Sequence, residues 1–176
     1  MNDTRMFAFE DDFVATLRCV PMAVRFKLDA CGIKLTLRQW SRFTRDDRQD
    51  LLLALCETVG EIEVYRTALV DLVALRSGER AKPLTIPPCG QWEDARRPAR
   101  VVVDYAKSLG VQPPDRAQWR ALSRLQRFVL IKLTRDNHDN VNFLPAMAEF
   151  GLLAPVIRES LTSQLQNEFD GRTLMA

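Results

Sequence analysis

Histidine occurs once in this sequence, at His138. That scarcity removes the commonest metal ligand and the commonest acid–base side chain at neutral pH. Glycine is sparse too, at seven of 176 residues. None of the seven forms G-x-G-x-x-G or G-x-x-x-x-G-K-[ST], so the loops that bring backbone close to a phosphate are missing. No C-x-x-C occurs. Cys19, Cys31, Cys56 and Cys89 are widely and unevenly spaced, and His138 is distant from all of them. A zinc site normally brings at least one closely spaced ligand pair. Long apolar runs are absent as well: the longest, 51–56 and 128–131, fall far short of the ~20 residues of a membrane helix. Residues 1–12 show no basic stretch leading into an apolar one, so no export signal is expected and the cytoplasm is the expected compartment. There the cysteines are expected to stay free thiols. An excess of one charge is also lacking. With 25 basic and 23 acidic residues the net charge is +2, which argues against a dedicated nucleic-acid binder and against a polybasic membrane anchor.

What is present is a folding sequence. At 47% hydrophobic residues the chain can bury a sizeable core. We expect one compact, mostly α domain over 1–176, with little or no sheet and two helix–turn–helix-like halves. Gly32, Gly78, Gly110 and Gly151 each follow a helix-compatible run, as left-handed C-cap glycines do. The clearest helix covers 59–77. Thr58 and Glu61 form a capping box, and Ile62, Tyr65, Leu69, Leu72 and Val73 recur at helical spacing. A Pro-rich irregular connection follows over 79–96, pinned by Trp92. Residues 24–30 alternate apolar and polar, which is a strand period, but Pro21 suits a helix start, and 21–31 is read as helix. A short extended segment over 33–37 is left open. Further helices are expected near 142–150 and 155–169, with a frayed tail over 170–176.

There is also an internal echo between about 21–55 and 98–133. Pro21 to Gly32 leads to Gln39-Trp40; Pro98 to Gly110 leads to Gln118-Trp119. Phe43, Thr44, Arg48 and Leu51 then match Leu122, Ser123, Arg127 and Leu130 in step. Each half reads as helix, glycine stop, tryptophan-bearing turn, Ser/Thr N-cap, helix. Trp40, Trp119, Phe43, Leu51, Leu122, Phe128 and Leu130 are expected to be buried.

The candidate chemistries are thin. His138 sits among Asp136, Asn137, Asp139 and Asn140, which reads as a solvated polar loop. The loop also lacks the glycine and the final glutamate of a calcium loop. Asp46-Asp47 follow Thr44 and suit the first turn of a helix; adjacent side chains do not converge on one atom. Arg116, Arg120, Arg124 and Arg127 recur at helical spacing. Ser123 interrupts them, and they read as a solvated face, or less readily as a surface for an acidic partner.

Particular strings carry more than periodicity does. Leu17-Arg18-Cys19-Val20-Pro21-Met22, Val24-Arg25 and Lys27 through Leu35 resemble the opening signature of the nitrate reductase-associated protein family. So do Trp40, Arg48, Tyr65-Arg66, Gln118-Trp119, Leu125 through Phe128 and Ile131-Lys132-Leu133. The late string His138, Asn142 through Ala146 and Glu149 through Leu152 is similar too. The resemblance runs from about Phe7 to Leu152 and is weakest in the Pro-rich connection and beyond Leu153. It implies a non-catalytic accessory or chaperone-like role in the maturation or activity of assimilatory, molybdenum-dependent nitrate reductase, with that reductase as partner and no cofactor, metal or catalytic residue of its own. Two other readings remain. One is a thiol-based small-ligand or metal-handling protein using Cys19, Cys31 and Cys56. The other is a helical DNA-binding regulator, which the small net charge disfavours.

Within the resemblance, Arg18, Lys27, Asp29, Lys132, His138 and Asn142 have no simple packing role, because charged and polar side chains contribute little to a core. They are expected on one connected interaction face, or else as braces between the two ends of the chain. On the cysteines the expectation is direct. Alkylation of the native protein followed by mass spectrometry should count four free thiols, and a stable Cys19–Cys31 bridge would overturn the reading.

Overall fold

A computed structural model describes residues 6–10, 16–84, 90–135 and 141–153. The chain divides into two compact units, Met1–Gln91 and Trp92–Ala176. The described residues are mostly helical, with one two-stranded sheet. The expected helix over 155–169 and the tail over 170–176 lie outside them.

The first unit opens with a single 3-10 turn, Ala8–Glu10. Helix α1 spans Met22–Cys31. Pro21 precedes it with φ −60° and cannot itself cap with a side chain. Glu10 does so instead, accepting the Met22 backbone N–H at 2.8 Å through a buried carboxylate. Gly32 ends α1 in the left-handed region, φ 68°, where a Cβ would be strained. The strand-like alternation over 24–30 is therefore helical. Ile33–Lys34 form strand β1, which pairs antiparallel with β2, Lys82–Pro83, in the register Ile33↔Pro83 and Lys34↔Lys82. The connection over 79–96 thus contributes one short strand and is not wholly irregular.

Helices α2, Leu37–Arg42, and α3, Arg45–Leu53, follow, then α4, Val59–Ser77. α4 begins in the expected Thr58–Glu61 capping box and ends at Gly78, φ 67°. It buries Tyr65, Leu69 and Val73, and packs against α1 and α2.

The second unit contains α5, Arg100–Ser108, α6, Arg116–Ala121, α7, Arg124–Leu133, and α8, Phe143–Glu149. α7 packs against both α5 and α8. Trp92 is buried and meets the Phe128 ring edge-on, with centroids 5.2 Å apart, which pins the end of the Pro-rich connection.

The tryptophan-bearing segments are helices, α2 and α6, where the sequence suggested turns. Each starts in a capping box, Thr36 with Gln39 and Asp115 with Gln118. Each ends on an extended residue, Phe43 or Leu122, and the next residue, Thr44 or Ser123, caps the following helix. The indole N–H of Trp40 donates to the Leu17 carbonyl at 2.9 Å, and that of Trp119 donates to the Asp94 carbonyl at 2.9 Å. Leu17 and Asp94 stand at the same interval before Pro21 and Pro98. One local arrangement thus occurs in both units.

All seven residues expected in the core are buried, with Trp40, Trp119, Phe128 and Leu130 wholly so. A cavity at Phe128 would remove contacts with Trp92 and its helix. Phe128→Ala should cost ~3–5 kcal/mol, read as a lower urea midpoint at an unchanged slope.

Candidate functional site

Short helices have many ends for their length, and each C-terminus leaves carbonyls without an intrahelical donor. In this protein cations meet those carbonyls. Lys27, on α1, is 4% exposed, and its ammonium donates to the carbonyls of Leu52 at 2.6 Å, Ala54 at 2.7 Å and Leu51 at 3.3 Å, the end of α3. Its Nζ also lies 5.8 Å from the centroid of the Tyr65 ring, whose hydroxyl donates to the Leu51 carbonyl at 3.3 Å. Arg66 Nη1 donates to the Cys31 carbonyl at 2.8 Å, the last residue of α1. Arg42 Nη1 reaches the Ser77 carbonyl at 3.1 Å, the last of α4.

Arg48 and Arg127 perform the same task for the tryptophan helices. Arg48 donates to Trp40 and Ser41 carbonyls in the last turn of α2 and to the Leu17 carbonyl, each at 3.1 Å. Its guanidinium carbon lies 5.6 Å from the Trp40 ring centroid. Arg127 is buried and donates to Leu122, the C-cap of α6, and to Trp92, both at 2.7 Å. Burial lowers its pKa from the usual arginine value. Arg127 is therefore not part of a solvated basic face. Ser123 breaks the run as expected, leaving Arg116 and Arg120 exposed on α6 and Arg124 exposed in an ion pair with Glu93.

The six candidate residues are distributed over both units. Arg18 is exposed, Asp29 is half-buried on α1, and Lys27 is buried as above. In the second unit Lys132 is half-buried in the last turn of α7, with Nζ 5.1 Å from the Phe128 ring centroid. Asn142 is half-buried at the N-cap of α8. His138 lies outside the described residues. The helix-capping role of Lys27, Arg48, Arg66 and Arg127 escaped the sequence reading. Only Lys27 carries a sequence signal, with apolar residues and no acidic partner three or four positions away; Arg66 has Glu63 three residues before it, and Arg48 sits in a charged run.

The thiols are placed for packing. Cys31 and Cys56 are buried, Cys19 is half-buried, and all three are free; Cys89 lies outside the described residues. Burial pushes the Cys31 thiol up and the Cys56 thiol to about 11. Both stay protonated at neutral pH, whereas a metal ligand or nucleophile must be thiolate. Among the described residues no group of three or more His, Cys, Asp or Glu stands where it could hold a metal ion. Nor is any described helix long and apolar enough to cross a membrane.

A family model described as conserved nitrate reductase-associated protein matches residues 6–150. No curated protein and no solved structure matches the chain.

The capping role of Lys27 has a measurable consequence. Lys27→Met leaves the end of α3 without its donor and should cost roughly 1.5–3 kcal/mol, with Lys27→Glu costing more because it sets a carboxylate against carbonyl oxygens. Urea unfolding of the two variants beside wild type measures both, and unchanged stability in Lys27→Glu would refute the role.

Proposed function

The chain belongs to the nitrate reductase-associated protein family, and from that premise we propose that it is a non-catalytic accessory protein supporting the maturation or activity of assimilatory nitrate reductase. The observation that carries the reading is the family match over 6–150, which reaches into both units and takes in every helix described above. An apoenzyme awaiting a large cofactor has an open cleft, and a helical partner that binds this state better than the closed one shifts the population toward it. Such work needs a surface and a stable scaffold, not a reactive group. Burial of the Cys31 and Cys56 thiols supports this reading over thiol-based metal delivery.

Within it, Arg18, Asp29, Lys132, His138 and Asn142 are the proposed contact residues, and Lys27 acts inside the fold by holding α3. Co-purification with nitrate reductase, prepared with and without its molybdenum cofactor, is the test. The chain should be retained by the reductase, and more strongly by the cofactor-free form. Arg18→Glu, at an exposed position, should melt within a degree or two of wild type yet fail to support nitrate reductase activity in cells. Equal activity with and without the chain, together with no retention on either form, would end the proposal.

A further inference from the structure

In the first unit α3 and α4 leave an open groove of about 700 Å³ between them. Leu51, Ala54 and Leu55 line one wall, and Val64, Ala68 and Leu72 line the other. Leu51 is a buried core residue at the base of the groove, but the outer positions are not. Val64 is 71% exposed and Leu55 is 52% exposed, so apolar surface faces solvent on both walls. Apolar side chains left in water on both walls are surface that a partner can bury.

The rim carries one sign of charge. Asp47, Asp50 and Glu61 border the groove, and no lysine or arginine lines it. Asp47 is already engaged by Arg76, at 2.8 Å. Asp50 is exposed and makes no side-chain hydrogen bond or ion pair among the described residues. Glu61 accepts the backbone N–H groups of Glu57 and Thr58, both at 2.9 Å, which keep its carboxylate ionised. Two negative charges therefore remain for whatever fills the groove.

The second unit shows what the same positions look like when covered. Val129, Leu130 and Leu133 of α7 match Asp50 and Leu51 of α3 and its C-cap Ala54, at the same intervals after Trp119 and Trp40. All three are fully buried, and α7 packs against α8, whose Phe143, Ala146 and Met147 are buried as well. In the first unit Leu51 is also buried and Ala54 is half-buried, but Asp50 is exposed, a carboxylate where the other unit has a buried valine.

We propose that the groove between α3 and α4 receives an amphipathic helix of the nitrate reductase polypeptide, with apolar side chains at i, i+3 and i+4 on the groove and lysine or arginine beside Asp50 and Glu61. The geometry fits one helix. The α4 wall from Glu61 to Leu72 is roughly 16 Å long at 1.5 Å per residue, the length of about three turns. This inference rests on the accessory reading and specifies where that contact is made.

The test is a binding titration of the purified full-length chain against purified nitrate reductase, cofactor-free and loaded, at low and high salt. Wild type should bind, more weakly at high salt. Val64→Glu and Asp50→Lys should each weaken binding at least tenfold with unchanged melting. Both positions are exposed, and Asp50→Lys decides the matter should Val64→Glu prove unstable. Variants that bind as tightly as wild type would overturn the groove and leave the accessory reading standing. No binding by wild type would overturn both. A wild-type dimer in sedimentation that Val64→Glu converts to monomer would assign the groove to a second copy of this chain and overturn the proposed occupant.

Discussion

The end of a short helix is the constraint on which this structure depends. α2 and α6 have six residues each, so most of their carbonyls lie in the last turn and find no intrahelical donor. Cations supply what is missing. Arg48 closes α2, Arg127 closes α6, Lys27 closes α3, Arg66 closes α1 and Arg42 closes α4. A cation placed there gains both hydrogen bonds and the helix dipole. Because Lys27 and Arg66 come from different helices from the ones they cap, each cap also joins two elements.

Leu17 shows how far a single carbonyl organises its surroundings. Its φ is 50°, rare for a residue with a side chain. In that conformation its carbonyl receives both the Trp40 indole and Arg48. Backbone strain of order 1–3 kcal/mol is sustained only where surrounding contacts over-determine it. Here two donors from two helices and a buried leucine side chain do so. Asp94, whose carbonyl receives Trp119 in the second unit, is not left-handed, so the strain belongs to Leu17 and not to the arrangement as such.

The same economy bears on function. Cationic side chains that would otherwise suggest an anion site are engaged by carbonyls, and buried thiols that would suggest a metal site are held protonated. The first unit also carries an apolar groove with an acidic rim.

Much of this was legible in the chain. The helical class, the Thr58–Glu61 box, the glycine stops at Gly32, Gly78, Gly110 and Gly151, the buried tryptophans and the pinning by Trp92 all follow from local rules: caps, periodicity and burial of large rings. The family resemblance rested on strings of residues and needed no geometry. The helical state of the tryptophan segments was missed because Pro113-Pro114 and the alternation at 33–37 mask the caps Asp115 and Thr36 that start them. The short pairing of Ile33 with Pro83 was likewise illegible, since it joins segments fifty residues apart by sequence and carries no turn signal. The sequence by itself determined the start of α4 at its Thr58 cap and the stops at Gly32 and Gly78, because those choices are made within a few residues by capping and left-handed glycines. Only the tertiary structure decided that Lys27 and Arg127 are buried caps while Val64 is exposed, because a carbonyl's need for a donor and a groove's openness depend on which helix ends and faces the fold brings together.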